Sequence, residues 1–156
     1  MAFTVDINLQ RLLLTSCSTA EVFSLLADVP RSAAHFPRVD RLVALGGNAY
    51  RWEMEKIGIG GYTLQQTVYA CQYRDDVSTG RVFWTPIEGV GNASVEGEWI
   101  VAPKENGTTV RLSTRGRLTV DFPSFLQFAL APLVQMEFTG MVEQYIANLK
   151  DAFSSL

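Results

Sequence analysis

The sequence predicts an α+β fold, in which a curved antiparallel sheet of about seven strands is covered by one long C-terminal helix. Polar and apolar residues alternate along the middle of the chain, two short helical segments follow the first strand, and the end of the chain has helical periodicity. No repeat, low-complexity run or Pro/Ser-rich linker divides the 156 residues. We therefore expect residues 1-156 to form a single domain.

The first strand is predicted over residues 3–14. A capping box follows it, because Ser18 and Glu21 have the spacing at which each satisfies a free amide group at a helix start. The short helix EVFSLLAD comes next. A second short segment, RSAAHF, begins after Pro30 and ends before Pro37, since a residue that precedes proline avoids the helical region.

The middle of the chain contains only predicted strands. AYRWEMEKI alternates apolar residues such as Trp52 and Met54 with charged ones, which is typical of a sheet with one buried face. Glycines between residues 58 and 61 break the pattern, and YTLQQTVYACQYR resumes it as one strand. The strands RVFWTPI, ASVEGEWIVA and TTVRLSTRGRLTV follow, and Asn106-Gly107 predicts a tight hairpin between the last two.

The last element is predicted to be a long helix that is amphipathic from Val134 onward and is preceded by the apolar segment FLQFALAPLV. Pro132 should kink or restart it. A membrane-spanning helix needs about 20 mostly apolar residues, and glutamines and glutamates interrupt this run. No stable membrane insertion is therefore expected, although the segment permits transient contact with a membrane surface.

The composition excludes several classes of protein. Lys+Arg number 13 and Asp+Glu 16, a formal net charge of −3, and no basic stripe is present, so nucleic acid is not expected as a partner. Two cysteines and one histidine suggest neither a disulfide framework nor a metal site, and no cofactor is expected. The N-terminus has no basic segment followed by a continuous apolar run, which indicates a cytoplasmic protein rather than a secreted one.

Strand alternation identifies candidate ligand contacts on the inner face of the sheet. Gln66 is either a polar anchor for a ligand, a hydrogen-bonded side chain near the mouth of the cavity, or a sign that the register of its strand is inverted. By the first interpretation Val68 and Ala70 also face inward, and Cys71 faces outward. The tryptophans either stack on a flat ligand or fill the core. The inward candidates are Trp52, Met54, Gln66, Trp84 and Trp99.

The C-terminal helix adds Phe128, Phe138, Met141 and Tyr145 as candidate ligand contacts. The Tyr145 hydroxyl either faces a cavity, as a donor or weak acid, or lies in water at the edge. Histidine is the residue type whose unperturbed pKa lies near neutrality, so His35 is a candidate base, with a solvent-facing side chain as the alternative. We find no carboxylate pair, Ser-His-Asp order or Gly-rich phosphate loop, so His35 and Tyr145 are the only catalytic candidates.

Three stretches resemble the START-like or SRPBCC superfamily: SCSTAEVFSLLADVPRSAAHFPRVDRL, VEGEWIVAPKENGTTVRL and the terminal FALAPLVQMEFTGMVEQYIANLKDAF. The last is similar to the closing helix of its polyketide cyclase/dehydrase and coenzyme Q-binding branches. The resemblance covers essentially the whole chain. It implies a single START-like domain with a helix-grip fold, in which the sheet wraps around the C-terminal helix and encloses a cavity. It also implies ligands such as lipids, isoprenoid quinones or polyketides.

Three functions remain open. The first is a non-catalytic carrier or binding protein for a hydrophobic small molecule, which needs only a cavity. The second is a polyketide cyclase/aromatase or dehydratase, in which Tyr145, Gln66 or His35 would position the substrate. The third is a protein-interaction or chaperone-activator module with a filled core and an exposed apolar patch. The sequence favours the first, because it supplies an apolar lining without catalytic groups, and it does not predict the oligomeric state.

Overall fold

A seven-stranded antiparallel sheet and a long C-terminal helix form most of the structure. The structure is a computed structural model that describes residues 2–156, with the side chains of residues 59, 64 and 65 excepted. Along the chain the elements are β1 (Phe3–Thr15), α1 (Thr19–Ala27), α2 (Val29–Ala33), β2 (Val39–Gly46), β3 (Ala49–Met54), β4 (Ile57–Ile59), β5 (Tyr62–Gln65), β6 (Val68–Asp76), β7 (Arg81–Pro86), β8 (Ala93–Lys104), β9 (Gly107–Val120) and α3 (Gln127–Ser154).

The main sheet has the strand order β1-β9-β8-β7-β6-β3-β2. The predicted hairpin between β8 and β9 forms, but its two-residue loop is Glu105-Asn106, with Asn106 at positive φ, because Lys104 already pairs with Gly107. Along β1 the side chains alternate between buried and exposed, so this strand has one face on the core. Before α1 the Ser18 hydroxyl accepts a hydrogen bond from the Glu21 amide, which confirms the predicted helix start.

The prediction that YTLQQTVYACQYR forms one strand is wrong, because the strand is interrupted at Gln66. The part before the break, β5, pairs with β4 in a separate two-stranded sheet, and the part after it, β6, joins the main sheet. The Asn92 side chain holds this break, since its amide donates to the Gln66 carbonyl and its carbonyl accepts from the Val68 amide. The break inverts the register of β6, so that Cys71 is fully buried in the core and does not face outward.

Helix α3 has 28 residues and continues through Pro132 without interruption. Of the two predicted effects of Pro132, a kink or a restart, the restart therefore does not occur. A short 3-10 turn, Ser124–Leu126, leads into α3. By length and composition Ser124–Ser154 could cross a membrane, but the core helix of a soluble protein passes the same test. The second half of α3 packs on the core of the sheet. The residues of α3 that are buried are Val134, Phe138, Met141, Val142, Tyr145, Leu149 and Phe153.

Candidate functional site

A closed circuit of aromatic side chains lies between the sheet and α3. Four neighbouring strands, β3, β6, β7 and β8, contribute one ring each, α3 contributes another, and the loop after α2 contributes the sixth. Where the rings contact one another directly, their centroids lie 4.8 to 6.5 Å apart. We call these residues the aromatic wall: Phe36, Trp52, Tyr73, Trp84, Trp99 and Tyr145.

Gly97 makes the position of one ring possible. It faces Trp84 across the β7–β8 ladder. A Cβ at this position would lie 2.7 Å from Cζ2 of Trp84 and 2.5 Å from the carbonyl oxygen of Ser113, both closer than real Cβ contacts. The glycine therefore lets the indole ring lie flat against the sheet, where it contacts Tyr73 on one side and Trp99 on the other.

Two hydrogen bonds between side chains connect polar atoms within the wall. The indole Nε1 of Trp52 donates to the Tyr73 hydroxyl at 2.9 Å, which closes the circuit of rings between β3 and β6. The hydroxyls of Ser32, in α2, and Tyr145 are hydrogen bonded to each other, and this pair is buried. Because both are hydroxyls and their mutual bond uses only one of the two O–H groups, the pair keeps one O–H donor and free acceptor lone pairs for a third polar atom.

The phenols of the site are held in their neutral form. Burial raises the pKa of Tyr145 to about 12, although the hydrogen bond with Ser32 works in the opposite direction. Burial also raises the pKa values of Tyr69 and Tyr73 well above the usual range. At neutral pH these hydroxyls can therefore donate hydrogen bonds, but they cannot act as phenolate bases. Burial likewise raises the pKa of the Cys71 thiol to about 12, so this thiol is unreactive.

The cavity enclosed by the wall is narrow. Its volume is about 60 Å³. Sites for drug-sized ligands usually have volumes of about 300–1,000 Å³. The aromatic side chains thus fill most of the gap between sheet and helix, and a larger molecule can enter only if some of them move.

Five of the predicted contacts line this cavity, and ligand contact by them stays a prediction. They are Trp52, Trp84, Trp99, Phe138 and Tyr145. Tyr145 takes the first of its two predicted positions, with the hydroxyl buried toward Ser32. Within residues 2–156, no side chain that lines the cavity is charged, and no group of three or more His, Cys, Asp or Glu residues is placed to hold a metal ion.

The other predicted site residues lie outside the cavity. Met54 is buried against neighbouring core residues. Gln66 donates to the Met54 carbonyl at the break before β6, so the inverted-register alternative describes it. Met141 lines a surface groove beside Arg38, and Phe128 is 96% exposed because it lies on the side of α3 that faces away from the sheet.

His35 is also outside the cavity. It is half-buried, and its Nδ1 lies 3.0 Å from the Arg31 carbonyl oxygen. Since a carbonyl only accepts hydrogen bonds, Nδ1 carries the proton in this contact. The His35 carbonyl accepts from the Asn148 amide of α3. This residue therefore lies outside the cavity and connects the loop after α2 to the helix, and its role as a base stays a prediction.

Several cavity residues were not among the sequence candidates, and four of them bear on the site: Ser32, Phe36, Tyr69 and Tyr73. Ser32 lies in α2 and Phe36 in the turn after it, four positions apart, and this helical spacing could have revealed them. Tyr69 and Tyr73 belong to the strand whose register is inverted. Together with Cys71 they occupy every second position, which was a signal for the correct register, but the continuous pattern through Gln66 obscured it.

The fold and this site define a helix-grip, START-like protein with an aromatic cavity beneath its C-terminal helix. The family model described as "Polyketide cyclase / dehydrase and lipid transport" matches residues 15–154. The chain therefore belongs to this family, within the SRPBCC superfamily that its sequence resembles. A search of curated proteins found no significant match.

Solved structures share this fold at low sequence identity. A protein from Thermus thermophilus, TTHA0849, is 21% identical, with a TM-score of 0.70 over 96% of this chain and 97% of that one. A START superfamily protein from Mycobacterium smegmatis is 13% identical, with a TM-score of 0.66 over 95% and 97%. The Zhui aromatase/cyclase from Streptomyces sp. R1128 is 14% identical, with a TM-score of 0.60 over 95% and 91%. Identities this low establish the fold alone.

Proposed function

We propose that this protein binds a flat hydrophobic molecule inside the aromatic wall and carries it without chemical change. The observation that carries the proposal is the lining of the cavity, which is aromatic and contains only uncharged polar groups among the described residues. Aromatic faces favour flat, apolar ligands through offset or edge contacts. This lining lies within residues 15–154, which match the family. We also propose that residues 1-156 form one START-like domain and that the protein is cytoplasmic.

The Ser32–Tyr145 pair supplies the polar part of the proposed recognition. Both hydroxyls are buried and face the cavity, and the phenol, with its raised pKa, stays protonated at neutral pH. A ligand with one hydroxyl or carbonyl group can hydrogen bond with this pair while its rings contact Trp99 and Phe36. A single hydrogen bond in such a site contributes about 0.5–1.5 kcal/mol. Suitable ligands are therefore fused aromatic, quinone-like or polyketide-like molecules.

Binding must be coupled to opening of the wall, because the cavity of about 60 Å³ is too small for these ligands. Phe36 is the natural side chain to move. It comes from the loop after α2 rather than from the sheet, it is only partly buried, and it contacts both Trp52 and Tyr145. Rotation of this ring would widen the cavity without breaking any strand ladder.

A cyclase or dehydratase remains the second candidate, and the Ser32–Tyr145 pair is the observation that favours it. Two similar structures are aromatase/cyclase proteins by name, and a pair of hydroxyl donors could polarise a substrate carbonyl. The raised pKa of Tyr145 opposes a role as general base. We rank the carrier first because proton abstraction needs a base, and the lining residues that are described contain no charged side chain.

The test compares two probe ligands of nearly equal size, 2-naphthol and naphthalene. The wild-type protein should bind 2-naphthol about 3–10-fold more tightly, since only this probe can hydrogen bond with Ser32 and Tyr145. Tyr145→Phe should remove most of this preference and leave the affinity for naphthalene nearly unchanged. The affinities are measured by isothermal titration calorimetry, and native mass spectrometry gives the stoichiometry.

Naphthalene serves as the internal control, because a misfolded variant would lose both probes. If the wild-type protein binds neither probe and gains no thermal stability from quinones, fatty acids or aromatic polyketides, the proposal is wrong. Conversion of a polyketide-like substrate that is abolished in Tyr145→Phe would decide for the cyclase.

A further inference from the structure

The 3-10 turn before α3 and the outward side of the first part of α3 carry a stripe of exposed apolar side chains. Phe125, in the turn, is 79% exposed, and in the helix Phe128 is 96% and Met136 62% exposed, with Ala129 and Pro132 between them, also exposed. Steps of three and four residues place the members that lie in α3 on one side of the helix. We call these five residues the apolar stripe. The aromatic wall does not involve it.

The orientation of α3 holds the apolar stripe away from the core. Val134 is fully buried and is two positions from Pro132 and from Met136, which places it on the opposite side of the helix. Two glutamines attach the same part of the helix to the edge strand β1: Nε2 of Gln127 donates to the Thr4 carbonyl at 3.3 Å, and Nε2 of Gln135 donates to the Asp6 carbonyl at 3.0 Å. The phenylalanines cannot turn inward without breaking these contacts.

The charge pattern of this segment indicates what the apolar stripe contacts. From residue 122 to residue 136 the sequence contains no Asp, Glu, Lys, Arg or His. The nearest charged side chains in the sequence are Asp121 and Glu137, and Glu137 is paired with Arg38 at 2.9 Å. A charged partner would therefore gain nothing from this surface, whereas an uncharged apolar medium suits it.

The area of the stripe argues against a second copy of the chain as the occupant. An exposed phenylalanine presents about 150–250 Å², so the stripe offers roughly 400–500 Å² of apolar surface. A stable protein–protein interface buries about 800 Å² on each partner. The stripe falls short of this, but it has the size of the functional patches of soluble proteins, about 300–600 Å². A lipid surface needs neither a minimum area nor a complementary shape.

We propose that the apolar stripe docks this protein on the surface of a lipid bilayer, with α3 parallel to the membrane plane and the two phenylalanines inserted among the lipids. Insertion of aromatic side chains from one helix face is how interfacial helices attach to membranes. Because the stripe has no basic residue, the attachment does not depend on anionic lipid. The docking does not rest on the proposed ligand, since the cavity and the stripe share no residue.

The test is co-sedimentation with lipid vesicles. Wild-type protein should bind phosphatidylcholine vesicles, and equally well vesicles in which part of this lipid is replaced by phosphatidylserine. The double variant Phe125→Ser, Phe128→Ser should bind both at least about tenfold more weakly, because each phenylalanine contributes its burial free energy to insertion. Leu12→Ser and Val77→Ser are the matched controls, since these residues are 54% and 76% exposed elsewhere on the surface and should leave binding unchanged.

The remaining outcomes are also decisive. Wild-type binding that needs phosphatidylserine, or binding that the control variants reduce as much as the double variant, would contradict the proposal. A wild-type dimer in analytical ultracentrifugation that becomes monomeric in the double variant would assign the stripe to a second copy instead. The double variant should still bind 2-naphthol, so failure of the docking can be told apart from failure of the cavity.

Discussion

The two parts of helix α3 carry apolar side chains for different reasons. In residues 137–154 the apolar side chains face the core, and the outward side carries Glu143, Lys150 and Asp151. In residues 127–136 Val134 is fully buried, Leu130 and Leu133 pack partly on the core, and the outward side carries the apolar stripe, apart from Phe125 in the preceding turn. Burial therefore explains the apolar composition of the second part, but in the first part it does not explain the stripe. An apolar run in a sequence indicates that a surface avoids water, and only the structure shows whether the protein itself covers that surface.

The sharpest test of this difference is the same substitution at both ends of the helix. Phe153 is 1% exposed and Phe128 is 96% exposed. Phe153→Ala should lower the free energy of unfolding by about 3–5 kcal/mol, because it removes buried surface and leaves a cavity. Phe128→Ala should change it by less than ~0.5 kcal/mol, as is usual for exposed positions. Both free energies are measured by urea denaturation monitored by far-UV circular dichroism.

Phe128→Leu provides a control at the exposed position, since it keeps an apolar side chain there and should also be neutral. If Phe128→Ala costs more than about 1.5 kcal/mol, something covers the stripe in the free protein. The proposed contrast between the two parts of α3 would then be wrong.

A second test uses pH, because the second part of α3 carries a buried phenol and the first part has no tyrosine. The folded-state pKa of Tyr145, about 12, lies above the ordinary value of 10.0. Its contribution to stability is therefore fully present below pH 10 and is lost as the pH rises from 10 toward 12. By pH 11 the ionisation of this residue should lower the free energy of unfolding by roughly 1 kcal/mol. Tyr69 and Tyr73 act in the same direction, since their pKa values are also raised.

Urea denaturation at pH 9, 10 and 11 measures how the free energy of unfolding decreases with pH, which we call the slope. The proteins compared are the wild type, Tyr145→Phe and Phe153→Ala. Tyr145→Phe should be less stable at pH 9, because Ser32 loses its partner, but its stability should fall less between pH 10 and 11. Phe153→Ala should show the wild-type slope from a lower starting value. An identical slope in Tyr145→Phe would contradict the buried position of this hydroxyl.

The smallest expected effect is at the junction of the two parts, where Glu137 pairs with Arg38 at 2.9 Å. Both side chains are more than one third exposed, so solvent screens the pair. Glu137→Gln should lower the free energy of unfolding by no more than about 0.5 kcal/mol and should not change vesicle binding. A loss above about 1.5 kcal/mol in urea denaturation would show that the junction stabilises the helix more than an exposed pair normally does.

The sequence was sufficient for the elements whose periodicity is uninterrupted. Strand β8 alternates without a break, so the inward position of Trp99 was predicted correctly. Strand β6 was not, because the side-chain period of a strand is two and a single irregular position reverses every residue after it. The irregularity depends on Asn92, which lies 26 residues beyond Gln66, and no local pattern reveals such a contact.

The candidate site was predictable to a similar degree. The three tryptophans and Tyr145 followed from alternation along strands and from the helical face of α3. Ser32 and Phe36 were missed because the α2 segment is too short for its periodicity to stand out. The exposure of Phe128 was missed for another reason: a segment that is apolar on every side carries no information about which side faces the core.

The aromatic wall also gives the protein a built-in optical reporter. The sequence contains three tryptophans, and all three line the cavity. The intrinsic tryptophan fluorescence of the protein therefore comes entirely from residues that a bound ligand would contact, and no tryptophan elsewhere adds background. A guest that enters the cavity should quench or shift this emission, whereas lipid that contacts only the apolar stripe should leave it unchanged. One spectrum can thus separate the two events on the unlabelled protein.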